Sequence, residues 1–368
     1  MNENWFQDDE HNEKSLEQEH RPHVNHKRLS SWRIVFIGIL LIGVGLCIFS
    51  LFHHVLGKGA PMLDIPRVVL VPDPSAAPTA KEKPVQQIAE APQPTEDLGM
   101  WGAKYADRFA AGDVERSDNS YKSKDVCVTI EQGMSGKSVY YIADIYIRNI
   151  DNLRTAFADG KFGKGLRAGT VDMAAENKAI VSVSGDYYSN RDKGIVIRNA
   201  KLYRDKLYKD VCVIYQDGTM QTYSAEEFDI HAAIANGAYQ AWSFGPMLLT
   251  DGQPMQNFNS DVTKSNPRCA IGYFEPGHYC FVVVDGRQPG YSQGITMGDF
   301  SQLFYDLGCK EAYNLDGGQT AMMVFGDELA NKPYKGGRNT SDILYIGEVN
   351  DENKKRIGAS EYCANKTE

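Results

Sequence analysis

The pattern of apolar and polar positions first picks out an uncharged run near the N-terminus. Residues 34–52 form 19 consecutive positions without a charged side chain. In a helix, at about 1.5 Å per residue, this run spans roughly 30 Å, the thickness of a bilayer core. The apolar region of a cleaved signal peptide covers only about 7–15 residues. The pattern therefore predicts a retained transmembrane signal anchor.

Fixed positive charges predict the orientation of this anchor. Lys27, Arg28 and Arg33 precede the run, whereas Lys58 is the first lysine or arginine after it. Because the more positive flank usually stays in the cytoplasm, we expect a cytoplasmic N-terminus and an extracellular C-terminal part. The expected location is the cell membrane, crossed once.

Polar stretches divide the remainder of the chain. Residues 1–33 lack apolar periodicity, which is typical of a disordered cytoplasmic tail. Residues 53–97 contain eight prolines and predict a semi-rigid extracellular linker. Composition becomes globular over residues 98–350, where we expect the functional domain, and residues 351–368 form a polar C-terminal tail.

Within the globular part, short runs rich in valine, isoleucine and tyrosine predict strands. A hairpin turn is predicted at residues 216–219, between two of these runs. The predicted strands are 126–130, 139–148, 180–184, 194–198, 211–215, 220–223, 279–284 and 343–346.

Two capping boxes predict helices. Thr296 and Asp299 precede apolar residues at helical spacing, and Gly308 follows at the position of a C-terminal cap. Ser224 and Glu227 predict a second helix that ends near residue 235. We therefore expect a mixed α+β fold with a largely antiparallel β-sheet core and a few interleaved helices, preceded by one transmembrane helix.

Charge and cysteine content narrow the function classes. A net charge of −9 argues against a nucleic-acid-binding protein, because such proteins usually present a basic face. Six cysteines lie outside the apolar run, which permits disulfides, but several occur in apolar strands and are equally typical of buried free thiols. No C-x-x-C spacing occurs, and only His231 and His278 belong to the globular part, so no zinc site is predicted.

Four clusters of residues could carry chemistry. In the first, Asp316 ends a strand-like run and is followed by Gly317 and Gly318, whose backbone can approach a ligand closely. In the second, Asp186 and Tyr187 follow another buried-looking strand and combine a carboxylate with an aromatic face. A tight turn and an exit loop with packed tyrosines are the structural alternatives for these two segments.

The other two clusters contain cations. Arg268 enters one strand-like run, and Asp285 and Arg287 follow another. Guanidinium groups bind phosphate bidentately, although a surface ion pair or a turn is the structural alternative. The last cluster is a glycine-rich loop that could meet an anion or could simply be a solvated basic loop. It contains Asn331, Lys332, Lys335 and Arg338.

Taken together, these clusters resemble the phosphodiester glycosidase family over roughly residues 120–347. The residues that carry the resemblance are SGDYY (184–188), SFGPMLLTDGQP (243–254), NPRCAIG (266–272), VVVDGR (282–287), NLDGGQTAMMV (314–324) and NKPYKGGR (331–338). The chain departs from the family pattern at Ser184, where the family often has asparagine, and at Gln319, Thr320 and Ala321 after Asp-Gly-Gly. Of these, Thr320 keeps a hydroxyl.

The resemblance implies hydrolysis of a glycosyl-1-phosphodiester at the anomeric carbon, in cell-surface glycans or exopolysaccharide. The implied catalytic residues are Asp316, Asp186 and Arg268. The implied substrate-binding residues are Gly317, Gly318, Thr320, Asp285, Asn331, Arg338 and Tyr187. Ca²⁺, held by Asp186, Asp285 or Asp316, is the cofactor to consider, because oxygen ligands favour it.

Two other functions remain open at this point. A non-catalytic surface module could use the same residues to bind phosphate-bearing glycans, as the departures at Ser184 and Ala321 allow. A membrane-anchored transferase could move a glycan phosphate onto a wall polymer, which the predicted tether and orientation would suit.

Overall fold

Antiparallel strands build most of the computed structural model, which describes residues 63–64 and 99–349. These residues all belong to one compact unit. The predicted cytoplasmic tail, transmembrane anchor and C-terminal tail lie outside the described residues, as does nearly all of the predicted linker. Among the helices that are described, none is both long and apolar enough to cross a membrane.

Within these residues the strands are numbered β1–β20 in chain order. They are β1 Leu63–Asp64, β2 Glu115–Arg116, β3 Ser120–Lys122, β4 Val126–Ser135, β5 Ser138–Ile147, β6 Leu153–Phe157, β7 Val181–Ser184, β8 Val196–Arg198, β9 Lys201–Arg204, β10 Val211–Tyr215, β11 Met220–Tyr223, β12 Ala238–Trp242, β13 Met247–Thr250, β14 Gln253–Pro254, β15 Arg268–Glu275, β16 His278–Val284, β17 Glu311–Leu315, β18 Met323–Phe325, β19 Glu328–Leu329 and β20 Asp342–Ile346.

The strands form three sheets. The six-stranded sheet has the order β1-β9-β8-β12-β10-β11, the nine-stranded sheet has the order β14-β13-β17-β15-β16-β5-β4-β3-β2, and the five-stranded sheet has the order β19-β18-β7-β20-β6. Neighbouring strands run antiparallel, and the hairpin predicted at residues 216–219 joins β10 to β11. The predicted antiparallel β core with few helices is confirmed.

The α-helices within the described range are Thr170–Glu176, Ile230–Ala235 and Met297–Asp306. The Thr296 cap is confirmed, because its side chain accepts a hydrogen bond from the backbone N–H of Asp299. The capping box predicted at Ser224 is wrong as a helix start: Ser224 and Glu227 close a turn by a 2.7 Å hydrogen bond, and Asp229 caps the helix instead. Asp229 is the N-cap because its carboxylate accepts hydrogen bonds from the backbone N–H groups of His231 and Ala232 in the first turn.

The main hydrophobic core takes side chains from all three sheets, with the fully buried Trp242 and Phe281 among the largest. Each helix covers one sheet: Met297–Asp306 packs on the nine-stranded sheet, Ile230–Ala235 on the six-stranded sheet and Thr170–Glu176 on the five-stranded sheet. The five cysteines in the described range are free thiols, including Cys280 and Cys309, whose sulfurs lie 3.8 Å apart.

A buried carboxylate joins two of the sheets. Glu311 in β17 accepts hydrogen bonds from the hydroxyl of Thr222 in β11 at 2.6 Å and from the backbone N–H of Asp251 at 2.9 Å. Burial outweighs these bonds and raises the pKa of Glu311 from its usual 4.5 to about 7. Because the folded state holds this proton more tightly than the unfolded state, Glu311 destabilises the fold progressively as pH rises from 4.5 to about 7.

Replacing Glu311 by glutamine is therefore expected to flatten the pH dependence of stability. Glutamine keeps an oxygen that can accept from Thr222 but cannot ionise. The difference in the free energy of unfolding between Glu311→Gln and wild type should shift in favour of the variant between pH 4.5 and 8, as measured by urea denaturation. A difference that stays constant across this range would show that Glu311 does not titrate there.

Candidate active site

Asp186 and Asp316 follow the ends of β7 and β17, strands of two different sheets. The backbone N–H of Asp316 donates to the carbonyl of Gly185 at 2.9 Å, which joins the two strand ends. A Cβ atom at Gly185 would collide with the carboxylate of Asp342, so this close approach requires glycine. The fold thus brings two predicted catalytic carboxylates together.

Asp316 is the carboxylate whose ion-pair partner, Arg338, is exposed. Asp316 itself is 6% exposed, and its Oδ2 has no hydrogen-bond partner among the described residues. The nearest cation is Arg338, whose Nη2 lies 4.0 Å from Oδ2. Burial raises the pKa of Asp316 to about 7, although Thr320 and Arg338 act in the opposite direction. The group can therefore exchange a proton near neutral pH.

Asp186 is fully buried and ion-paired. Its Oδ1 pairs with Arg191, and its Oδ2 lies 3.8 Å from Nη2 of Arg198. Arg198 also donates from Nε to Oδ2 of Asp342 at 2.8 Å, while Oδ1 of Asp342 accepts from the backbone N–H of Asp186 at 2.6 Å. Burial raises the pKa of Asp342. Two carboxylates thus share one buried guanidinium group.

The sequence predictions did not include Arg191, Arg198 or Asp342. A usable signal was present for two of them: Arg198 ends a predicted strand, and Asp342 immediately precedes another. A charged residue that continues an apolar strand is buried with it and then needs a partner. Arg191 carried no comparable signal.

The loop after Asp316 is shaped by its glycines. A Cβ at Gly317 would lie 2.8 Å from the carbonyl oxygen of Pro267, so this position also requires glycine. Gly318 has φ +66° and donates its N–H to the same carbonyl at 2.9 Å. The hydroxyl of Thr320 donates to the carbonyl of Gly317 at 2.7 Å and stabilises the turn.

Arg268 is buried and bound to backbone carbonyls. Its Nη2 donates to Val262 at 2.8 Å and to Lys264 at 2.7 Å. Burial, followed by the charge of Arg287, lowers the pKa of Arg268 to about 10. Within the described part of the chain, no ion pair joins this guanidinium to Asp186 or Asp316. Its observed contacts hold the segment before β15 in place.

Asp285 and Asn331 face each other beneath the glycine-rich loop. The side chain of Asn331 donates to Asp285 Oδ1 at 2.7 Å, and the backbone N–H of Lys332 and the hydroxyl of Tyr291 donate to Oδ2 at 3.0 and 2.8 Å. Burial nevertheless raises the pKa of Asp285. These contacts anchor the segment that carries Arg338.

Tyr187 lies at the exposed edge of the site between two arginines. The guanidinium carbon of Arg338 is 6.0 Å from the centre of its ring, and that of Arg167 is 5.9 Å away. Arg167 was not among the predicted site residues. Both guanidinium groups are exposed, so the approach to Asp316 is positively charged.

The described carboxylates do not form an oxygen cage suited to Ca²⁺. Asp186 forms ion pairs with arginines, and Asp285 accepts three hydrogen bonds. Among the described residues, no group of three or more metal-binding side chains occurs. Two open clefts of about 280 and 350 Å³ flank the β18–β19 hairpin, and neither Asp186 nor Asp316 lines them.

Comparisons with known proteins agree with the resemblance seen in the motifs. Residues 177–347 match the family model of the phosphodiester glycosidases. The SPbeta prophage-derived uncharacterized protein YomE of Bacillus subtilis (strain 168) is 30% identical over 207 residues, which cover 53% of this chain and 32% of that protein. The matched region therefore spans about a third of the length of this relative.

Two solved structures match part of this chain at low sequence identity. The catalytic domain of zebrafish N-acetylglucosamine-1-phosphodiester alpha-N-acetylglucosaminidase, auto-inhibited by its pro-peptide, is 18% identical with a TM-score of 0.49, covering 66% of this chain and 86% of that chain. A hypothetical protein from Synechocystis is 14% identical with a TM-score of 0.42, covering 64% of each chain. The family match confirms the resemblance to the phosphodiester glycosidases for residues 177–347.

Proposed function

We propose that this protein hydrolyses a glycosyl-1-phosphodiester at the bond between the anomeric carbon and the phosphate oxygen. The observation that carries the proposal is Asp316: a buried carboxylate with one oxygen that accepts no hydrogen bond and lies 4.0 Å from an exposed arginine. A proton donor beside a cation suits a reaction in which negative charge develops on a departing phosphate. The family match at residues 177–347 supports glycosidase chemistry in general.

In the proposed reaction, the bond between C1 and the phosphate oxygen breaks and its electron pair stays on that oxygen. Asp316, in its protonated form, gives its proton to the oxygen, while Arg338 holds the phosphate. Water adds to the anomeric carbon and releases a proton to solvent, from which Asp316 is reprotonated, so the products are the free sugar and a phosphate monoester. Asp186 is fully buried and neutralised by Arg191 and Arg198, so its role in the proposed reaction is to hold the end of β7 beside Asp316.

Two of the departures from the family pattern, at Ser184 and Ala321, lie beneath the surface that a ligand meets. Ser184 and Ala321 are both fully buried, and the hydroxyl of Ser184 donates to the carbonyl of Thr320. This observation supports hydrolysis over the non-catalytic glycan-binding module. It does not bear on the transferase alternative, which differs in the acceptor.

The proposed activity is tested with a panel of α-glycosyl-1-phosphodiesters, including UDP-N-acetylglucosamine, with release of free sugar followed by chromatography. Hydrolysis of at least one donor is expected. Assays with and without EDTA decide the Ca²⁺ hypothesis, and the present carboxylate contacts lead us to expect no loss on chelation. Binding without sugar release from any donor would support the binding module, and appearance of the sugar on an added glycan acceptor would support a transferase.

We further propose that the substrate belongs to the cell surface or an exopolysaccharide and that residues 34–52 tether the domain outside the membrane. The support is the apolar run and the positive charges before it. A reporter enzyme is fused to the C-terminus and its activity is measured on both sides of the membrane. Activity found only in the cytoplasm would contradict this topology.

A further inference from the structure

The loop that carries Asp316 is bordered by two pairs of exposed cations, each pair centred on a tyrosine ring. The first pair, Arg167 and Arg338, flanks Tyr187. In the second pair, the guanidinium carbon of Arg287 lies 5.7 Å from the centre of the Tyr334 ring, and the Lys335 ammonium lies 5.4 Å from it. We call Arg287 and Lys335 the distal basic pair.

The distal basic pair adjoins the same loop as the candidate catalytic carboxylate. The Nη2 atom of Arg287 is 3.5 Å from the position that a Cβ at Gly318 would occupy, two residues after Asp316. In the same loop, the side chain of Gln319 donates to the carbonyl of Gly337 at 2.8 Å, next to Arg338. The loop therefore contacts Arg287 of the distal pair and adjoins Arg338 of the first.

The cations of the distal pair are not neutralised by carboxylates. Arg287 donates to the side-chain oxygen of Asn266, a neutral amide, at 2.8 and 3.2 Å. Among the ion pairs of residues 99–349, neither Arg287 nor Lys335 takes part. Exposed cations without acidic partners attract an anionic ligand, and here two of them lie beside the same tyrosine ring.

We propose that the distal basic pair is a second phosphate subsite, and that the substrate is a glycan with repeated phosphodiesters. This inference rests on the proposed function: while Arg338 holds the phosphate that is cleaved, Arg287 and Lys335 hold a neighbouring phosphate of the same chain. Guanidinium groups suit phosphate oxygens, and the face of Tyr334 provides an amphipathic surface for the intervening sugar.

A nucleic acid is also a polyanion, but the observations favour a glycan. The cations adjoin a carboxylate whose proposed chemistry acts on a sugar carbon. A long nucleic acid would also extend beyond this basic edge, where the net charge of −9 would repel it. An oligonucleotide therefore serves as the discriminating ligand in the test.

The experiment measures binding in an Asp316→Asn background, which prevents turnover. The probes are a six-unit α-(1→4)-linked N-acetylglucosamine 1-phosphate oligomer and the methyl phosphodiester of a single unit. We expect the oligomer to bind at least about tenfold more tightly than the single unit. Adding Arg287→Gln and Lys335→Gln should weaken binding of the oligomer about tenfold, because two exposed charge contacts are lost. Adding Lys124→Gln and Lys310→Gln, two exposed lysines outside the pair, should leave it unchanged.

Three results would overturn the proposal: equal affinity for both probes, equal affinity of the distal-pair and control variants, or equally tight binding of a DNA oligonucleotide with six phosphates. Hydrolysis of the donor panel and of both probes by the wild-type protein is measured separately. If that hydrolysis fails while the oligomer affinity still depends on Arg287 and Lys335, the proposed reaction is wrong but the second phosphate subsite stands.

Discussion

Replacing Asp316 by asparagine is expected to lower kcat for phosphodiester cleavage by about 100-fold or more, the typical range for loss of a general acid. Asparagine keeps the shape of the side chain but has no acidic proton to give to the departing oxygen. Because the wild-type carboxylate is buried with a raised pKa, a neutral amide there should not destabilise the fold at neutral pH. Steady-state kinetics and thermal unfolding of the same preparations measure both effects.

The matched control is Asp327→Asn, an exposed carboxylate between β18 and β19. It makes the same chemical change away from the site and should leave kcat unchanged. If Asp316→Asn retained more than about a tenth of wild-type kcat while remaining folded, the proposed role of Asp316 in proton transfer would be wrong.

The pH dependence provides an independent check on the same residue. With its pKa raised to about 7, Asp316 loses its proton as pH rises through neutrality. An acid role therefore predicts that kcat/KM is high below pH 7 and falls above it, about tenfold per pH unit at the limit. A profile that instead rises with pH through 7 would mean that the carboxylate form acts, as a base.

The second large effect is expected on stability. Replacing Arg198 by methionine should reduce the free energy of unfolding by about 3–5 kcal/mol, because it leaves buried carboxylates without their partner. Asp342 is fully buried and would lose its 2.8 Å bond from Arg198, and Asp186 would keep only Arg191. Urea denaturation at pH 7 measures the loss.

A double variant separates lost charge pairing from lost packing. In Arg198→Met/Asp342→Asn the unpaired carboxylate is also removed, so part of the stability should return relative to Arg198→Met alone. If Arg198→Met cost less than about 1 kcal/mol, or if the second substitution only added to the loss, the shared guanidinium would not be what stabilises this region.

Local patterns in the sequence were sufficient for much of the fold. The strands predicted at 211–215 and 220–223 and the turn between them match β10 and β11, because alternation and turn chemistry involve neighbouring residues. The helix after Thr296 was predicted for the same reason, since its cap and its apolar face lie within a few positions. The start of the helix at Ile230 was missed, because the short segment before it contains two possible N-cap residues, Ser224 and Asp229.

The site depended on contacts between distant parts of the chain. The motifs identified Asp186, Tyr187, Asp316 and Arg338 as candidates. The hydrogen bond between Asp186 and Asp342, however, joins residues 156 positions apart, and only the order of the strands in the sheet brings them together. Arg268 looked equally suited to phosphate, yet its side chain binds backbone carbonyls before β15. The sequence by itself determined which residue types stand at the strand ends. The tertiary structure decided which of them share a surface, because sheet order and burial select the partners of each charge.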